Sequence, residues 1–322
     1  MTRFPASVAI VALVFAAHGI GAQAPQQQPQ QPPVFRGAPV DQVPVFVTVT
    51  DRDGRLVPAL TREDFEVRDE GKPQPITLFD NSPRPIRLIV MLDVSGSMLG
   101  NLPLLRGATE QLIARLMPED GARVGAFGHD VTISPEFTRN AVDLRRTFPT
   151  EILEDAPTPL WRALDTAIGG FGETKERRVV LVLSDGGDSG MINFKQGFFS
   201  QAEVIDRARR EDVMIYAIGM RSRTRIPPGG INGGNLQAML SADLPDPGLA
   251  RVAEETGGGY AEIRPGQDLA AEFARVADEL HAQYMIGFDP PRRDGKKHGI
   301  DVKMKKGGLK PRARKDYVAP KE

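Results

Sequence analysis

The chain has no cysteine. No disulfide can form, no thiol can serve as a nucleophile, and no lipid can be attached at a cysteine behind an N-terminal leader. An excess of charge of one sign is also missing: 41 Lys and Arg stand against 42 Asp and Glu, a formal net charge of −1. The whole protein is therefore not a general nucleic-acid binder. No phosphate-loop motif occurs, so nucleotide hydrolysis is not expected. Gly257-Gly258-Gly259 is not the dinucleotide fingerprint, because it follows an expected helix and precedes an expected strand. No apolar run reaches the about 20 residues that a membrane-crossing helix needs, so no transmembrane segment is expected in the mature chain.

What is present begins with an address. Arg3, the apolar stretch from Ala6 to Ala17, and the small-x-small pattern of Ala22-Gln23-Ala24 read as a cleavable secretion signal over residues 1–24. Cleavage after Ala24 predicts a secreted or periplasmic protein. A Gln/Pro tract follows, and residues 25–40 are expected to form an extended, disordered linker because they have little apolar surface to bury. With 322 residues, 40% of them hydrophobic, the remainder can hold a core without disulfides.

Alternation of apolar residues predicts strands at 43–50, 65–68 and 76–79, an N-terminal β segment over 41–82. Near-continuous apolar runs at 86–92 and 179–183, with strands at 123–127, 131–133, 213–218 and 260–263, alternate with helices expected at 99–116, 160–168, 201–210, 247–255 and 269–280. That pattern predicts an α/β domain over 83–282: a doubly wound, mostly parallel sheet covered on both faces. Strand-like pieces at 284–288, 300–304 and 312–318 form a C-terminal β segment over 283–322. Neither flank is large enough for a stable sheet alone, so the two are expected to join in one small β module of about six strands.

The informative residues follow the first buried strand: Leu92-Asp93-Val94-Ser95-Gly96-Ser97-Met98. Ligands of open α/β sheets bind at the carboxyl ends of the strands, where Asp93, Ser95 and Ser97 stand. Thr158 lies in a loop just before a helix, and Asp185 follows the second buried run. Two carboxylates and three hydroxyls are all-oxygen donors, which suit a hard cation such as Mg²⁺. Helix capping explains Ser97 or Thr158 taken singly, but not all five residues together.

The order and spacing of these segments resemble the von Willebrand factor A family and its metal-ion-dependent adhesion site, Asp-x-Ser-x-Ser with a later Thr and Asp. The resemblance covers about residues 84–282, and all five positions are present. The flanks, such as Phe46-Val-Thr-Val-Thr-Asp and Tyr284-Met-Ile-Gly-Phe, look similar to those of bacterial, acidobacterial-type secreted members. The resemblance implies Mg²⁺ as cofactor, with Mn²⁺ or Ca²⁺ as alternatives. It implies direct ligation by Ser95 and Ser97, ligation by Thr158 when a partner is engaged, and action through water or through the hydroxyls for Asp93 and Asp185. Mainly neutral ligands leave the cation's charge poorly quenched, so it attracts an Asp or Glu carboxylate of a partner protein. The expected function is binding rather than catalysis. The alternatives are a metal-assisted hydrolase, or a structural envelope protein with a vestigial site.

Other motifs read as ordinary structure. Gly187-Asp188-Ser189-Gly190 is similar to a serine-protease nucleophile segment but sits in an α/β context and is expected to be loop. His129-Asp130 reads as an inert turn, and Asp51-Arg52-Asp53-Gly54 lacks the later ligands of a calcium loop. The basic stretch 292–315 reads as a solvated β-hairpin face, with an anionic-surface patch as the other reading. Long loops at 186–199 and 221–247 share the face of the carboxylates and are expected to frame a partner's acidic residue.

Overall fold

The computed structural model describes residues 42–98, 101–148, 150, 155–185, 187–189, 199–221, 245–264 and 266–321. The expected signal and linker, and most of the two long loops, lie outside the described residues. The elements run β1 (Val43–Thr50), β2 (Phe65–Asp69), β3 (Lys72–Gln74) and β4 (Leu78–Asp80), then β5 (Ile86–Asp93), α1 (Leu102–Ile113), β6 (Gly121–Phe127), β7 (Val131–Ile133) and α2 (Ala141–Arg146). There follow α3 (Leu160–Gly169), β8 (Arg177–Ser184), α4 (Gln201–Arg210), β9 (Val213–Met220), α5 (Pro247–Thr256), β10 (Tyr260–Ile263) and α6 (Leu269–His281). The last strands are β11 (Tyr284–Phe288), β12 (Lys297–Met304), β13 (Lys310–Arg312) and β14 (Asp316–Val318).

The central sheet has the order β10-β9-β8-β5-β6-β7. Its neighbours are parallel except β6 and β7, which pair antiparallel. Successive residues of β5 feed opposite faces. Leu88, Val90 and Leu92 pack with Leu105 and Leu112 of α1 and with Phe273 and Val276 of α6. Ile89 and Met91 pack with Leu164 of α3, Val204 of α4 and Val252 of α5. A strand buried on both sides has no polar face to display, which is why 86–92 reads as an apolar run rather than an alternation. The chain goes from β5 to β6 on one side and later to β8 on the other. The order therefore reverses between β5 and β8, where open α/β sheets leave a crevice at the strands' carboxyl ends.

The terminal segments do join, in two antiparallel sheets ordered β13-β1-β11-β4 and β14-β12-β2-β3. Val45, Val47, Val49, Phe65, Val67, Tyr284, Ile286 and Phe288 make their common core. Eight strands stand where about six were expected, for two reasons. Glu70 and Gly71 turn the chain with φ of 48° and 77°, so the chain re-enters the sheet at Lys72. The single strand expected at 312–318 is two, because residues 313–315 carry the chain from one sheet to the other. The first helix begins at Leu102 rather than 99, and the short α2, capped by the Asn140 side chain on Val142 N–H at 2.9 Å, was not anticipated.

A buried polar joint links this module to the central domain. Glu279 of α6 is wholly buried. It accepts from Thr48 of β1 at 3.1 Å, Tyr216 of β9 at 2.5 Å and Arg275 at 3.1 Å, and it pairs with Arg312 of β13. Most of the basic stretch is likewise paired: Lys297 with Asp316 at 3.0 Å, Lys306 with Asp64 at 2.8 Å, Arg314 with Asp212 at 2.6 Å and Lys315 with Glu254 at 3.3 Å. These contacts favour the solvated-face reading over an anionic-surface patch. Among the described residues, no helix is long and apolar enough to cross a membrane.

Candidate metal centre

Asp93 is the last residue of β5 and Asp185 follows the last residue of β8, so parallel pairing of these neighbours brings both carboxylates to one end of the sheet. The turn after β5 is shaped by Asp93 itself: its Oδ1 accepts the Ser95 N–H at 2.8 Å. Ser95 Oγ and Ser97 Oγ lie 3.0 Å apart, and Ser97 donates to Asp185 Oδ1 at 2.6 Å. Since Ser97 spends its hydrogen on the carboxylate, Ser95 is the donor to Ser97. The hydroxyls therefore form a directed chain ending on Asp185.

Thr158 is placed by its backbone. Its N–H donates to Ser189 Oγ at 2.7 Å, its carbonyl accepts the Ser189 N–H at 2.9 Å, and Gly96 N–H donates to Ala156 O at 3.1 Å. Ser95, Ser97 and Asp185 are thus in direct contact, Asp93 joins through Ser95, and Thr158 joins through the backbone of its loop. Four of the five are buried, and Ser97 is exposed.

Two carboxylates, Asp93 and Asp185, are buried at this end of the sheet. Burial pushes the Asp93 carboxyl up to about 6, against hydrogen bonds from Ser184 and Ser95 and with help from the nearby Asp185 charge. Burial also raises Asp185, opposed by the Ser97 hydroxyl. Asp185 Oδ2 is buried with no hydrogen-bond partner among the described residues, a costly arrangement for an acceptor removed from water. Adjacent ligands of an octahedral Mg²⁺ site, with bonds of 2.0–2.1 Å, stand about 2.9 Å apart, close to the Ser95–Ser97 separation of 3.0 Å. The residues present fit a hard divalent cation. Among the described residues, no group of three or more His, Asp or Glu gathers to hold a metal, so the candidate centre rests on two carboxylates with hydroxyls.

Sequence reasoning missed three supporting side chains. Ser184 donates to Asp93 Oδ2, Ser189 pairs with Thr158, and Asp246 accepts the Asp188 N–H at 3.1 Å. Ser184 adjoins Asp185 at a strand end, which is a usable signal. Nothing in the spacing of Ser189 or Asp246 announces their partners. His129 Nε2 donates to Asp155 Oδ1, 3.2 Å away on the exposed rim, and this bond holds the Asp155 carboxyl below its ordinary range. The protease-like segment 187–189 is loop, as expected from its context.

A family model described as von Willebrand factor type A domain matches residues 88–244. No curated protein sequence matches the chain. Similar solved structures include the conserved hypothetical protein BatB from Bacteroides thetaiotaomicron, at 14% identity and a TM-score of 0.44 over 61% of this chain and 98% of that one. Another is proximal thread matrix protein 1 from the mussel byssus, at 16% identity and a TM-score of 0.47 over 74% and 50%. A third is a von Willebrand factor type A protein from Catenulispora acidiphila, at 13% identity and a TM-score of 0.45 over 89% and 76%.

Proposed function

The chain carries a von Willebrand factor type A domain, and from that premise we propose that it is a metal-dependent protein-binding module. Domains of this family are interaction and adhesion modules, many of them metal-dependent. The reading rests above all on Asp185 Oδ2, buried and without a partner among the described residues, beside the Ser95–Ser97 pair.

In this proposal Asp93, Ser95, Ser97, Thr158 and Asp185 hold Mg²⁺, with Mn²⁺ or Ca²⁺ as alternatives. The bound cation supplies a positive charge able to accept an Asp or Glu carboxylate oxygen from a partner protein. The protein's own groups do the rest. Asp93 fixes the turn through the Ser95 N–H, so both serine hydroxyls face one point. Ser184 holds the other Asp93 oxygen. Burial keeps water from screening the two carboxylates, which raises their demand for a cation. The exposed position of Ser97 leaves the site open toward a partner. The apolar N-terminal run and Ala22-Gln23-Ala24 support a secreted or periplasmic setting in bacteria.

Calorimetric titration of the full chain with Mg²⁺ and Mn²⁺ tests the site, and capture from the native envelope with and without chelator tests the partner. We expect saturable metal binding that Asp93→Ala abolishes, and capture that chelator and Ser95→Ala/Ser97→Ala both remove. No metal uptake by wild type overturns the reading in favour of a structural role. Substrate turnover that disappears in Asp93→Ala overturns it in favour of a hydrolase.

A further inference from the structure

Thr158 is the proposed ligand placed by the backbone of its loop, and it sits at the entry to α3. Two residues of the loop after β8, Asp188 and Ser189, hold that entry. Ser189 closes a reciprocal pair with Thr158, accepting its N–H at 2.7 Å and donating its own N–H to its carbonyl at 2.9 Å. Asp188 Oδ1 accepts the Trp161 N–H at 3.3 Å in the first turn of α3. The Asp188 N–H in turn donates to Asp246 Oδ2 at 3.1 Å, while Asp246 Oδ1 caps α5 through the Gly248 N–H at 2.7 Å. Gly248 packs so closely on Trp161 that an added Cβ would lie 2.6 Å from its ring.

We infer that Ser189 is a positioning residue for Thr158, held in place by a brace in which Asp188 ties the first turn of α3 to Asp246, the cap of α5. The brace has a physical purpose. Thr158 and Asp185 sit on different loops, and a hard cation tolerates little misplacement of its oxygen ligands. A two-bond clamp between residue 158 and residue 189, four positions beyond Asp185, fixes one loop against the other. Residues that orient ligands without touching the metal commonly contribute 10–100-fold in affinity. The side chain of Ser189 is exposed, so its removal leaves the core intact.

The inference rests on the metal-centre reading above, and its test separates the two. Mn²⁺ affinity is measured on the full chain by calorimetry and by electron paramagnetic resonance, with thermal melting alongside. Ser189→Ala is expected to weaken Mn²⁺ binding roughly tenfold with an unchanged melting temperature, and Ser189→Thr, which keeps the hydroxyl, to restore it. In a double-mutant cycle, Ser189→Ala should add nothing to Thr158→Ala, because it acts through that residue. Wild-type affinity in Ser189→Ala, or additivity with Thr158→Ala, overturns the brace while Asp93→Ala still abolishes binding. A wild-type protein that takes up no Mn²⁺ overturns the brace and the metal centre together.

Discussion

Glu279 in the last helix and Thr48 in the first strand, 231 residues apart, share a hydrogen bond of 3.1 Å in the interior of the molecule. The carboxylate also meets Tyr216, Arg275 and Arg312, so its donors come from both the central domain and the β module. The described residues from 42 onward belong to one compact unit, and this joint supplies a physical reason.

Removing one partner from a buried charge cluster strands the others. Glu279→Ala leaves the partly buried Arg312 guanidinium without its carboxylate, and Thr48 and Tyr216 without an acceptor. We expect a loss of about 3–5 kcal/mol in urea unfolding, with fluorescence and circular dichroism moving together. A loss below about 1 kcal/mol would show that the joint is not a source of stability.

Much of the central domain was legible because its residues obey one rule at a time. Ile86 to Leu92 is buried on both faces and so reads as one apolar run. Asp93, Ser95 and Ser97 lie within one turn, so their convergence follows from local geometry. The β module was harder. Its two-sheet arrangement depends on where Ala313-Arg314-Lys315 crosses between sheets, and that is set by Arg314 reaching Asp212 at 2.6 Å and the Pro44 carbonyl at 2.6 Å. Such long-range pairs leave no periodicity. Ser189 and Asp246 were invisible for the same reason, since each acts on a residue at least 31 positions away.

Two glycines separate backbone from side-chain crowding. A Cβ on Gly258 would lie 1.9 Å from the Ile215 carbonyl oxygen, part of β9, whereas one on Gly248 would meet the Trp161 ring and the Gln201 amide, both at 2.6 Å. Side chains shift more readily than a central strand. Gly248→Ala should cost about 1–3 kcal/mol, and Gly258→Ala more. Trp161 is the only tryptophan, so its emission should change in Gly248→Ala and stay native-like in any folded Gly258→Ala. The reverse ranking by denaturant midpoint would contradict the packing described.

Asp120 predicts the acid arm of the stability curve. Burial pushes its carboxyl up, but bonds from His281 at 2.8 Å and from the Ile86 and Met117 N–H groups at 2.9 and 2.6 Å outweigh it, and the net shift is downward from 3.8. A depressed folded value means stability that is present above the unfolded value and lost as pH falls through the folded one. Asp120→Asn should therefore be less stable than wild type at pH 6, with the gap closing below about pH 4. A constant gap across that range in pH-dependent melting would refute the assignment.

Asp93 carries the opposite sign. Its folded value is raised from 3.8 to about 6 by burial, so the folded protein holds a proton that the unfolded chain releases. In chelator, that contribution to stability is fully present below about pH 4 and is lost as pH rises through about 6. The shift corresponds to on the order of 3 kcal/mol. Asp93→Asn has no such proton and should lack the decline, so the variant should exceed wild type in stability at pH 7.5 with chelator present. Mg²⁺ should reverse the order, because a divalent cation stabilises the ionised carboxylate that burial penalises, and only wild type offers one at that position. Melting temperatures of both proteins at pH 4.5 and 7.5, with chelator and with Mg²⁺, make the comparison. A wild-type curve that declines equally in both conditions would mean that Asp93 does not see the metal.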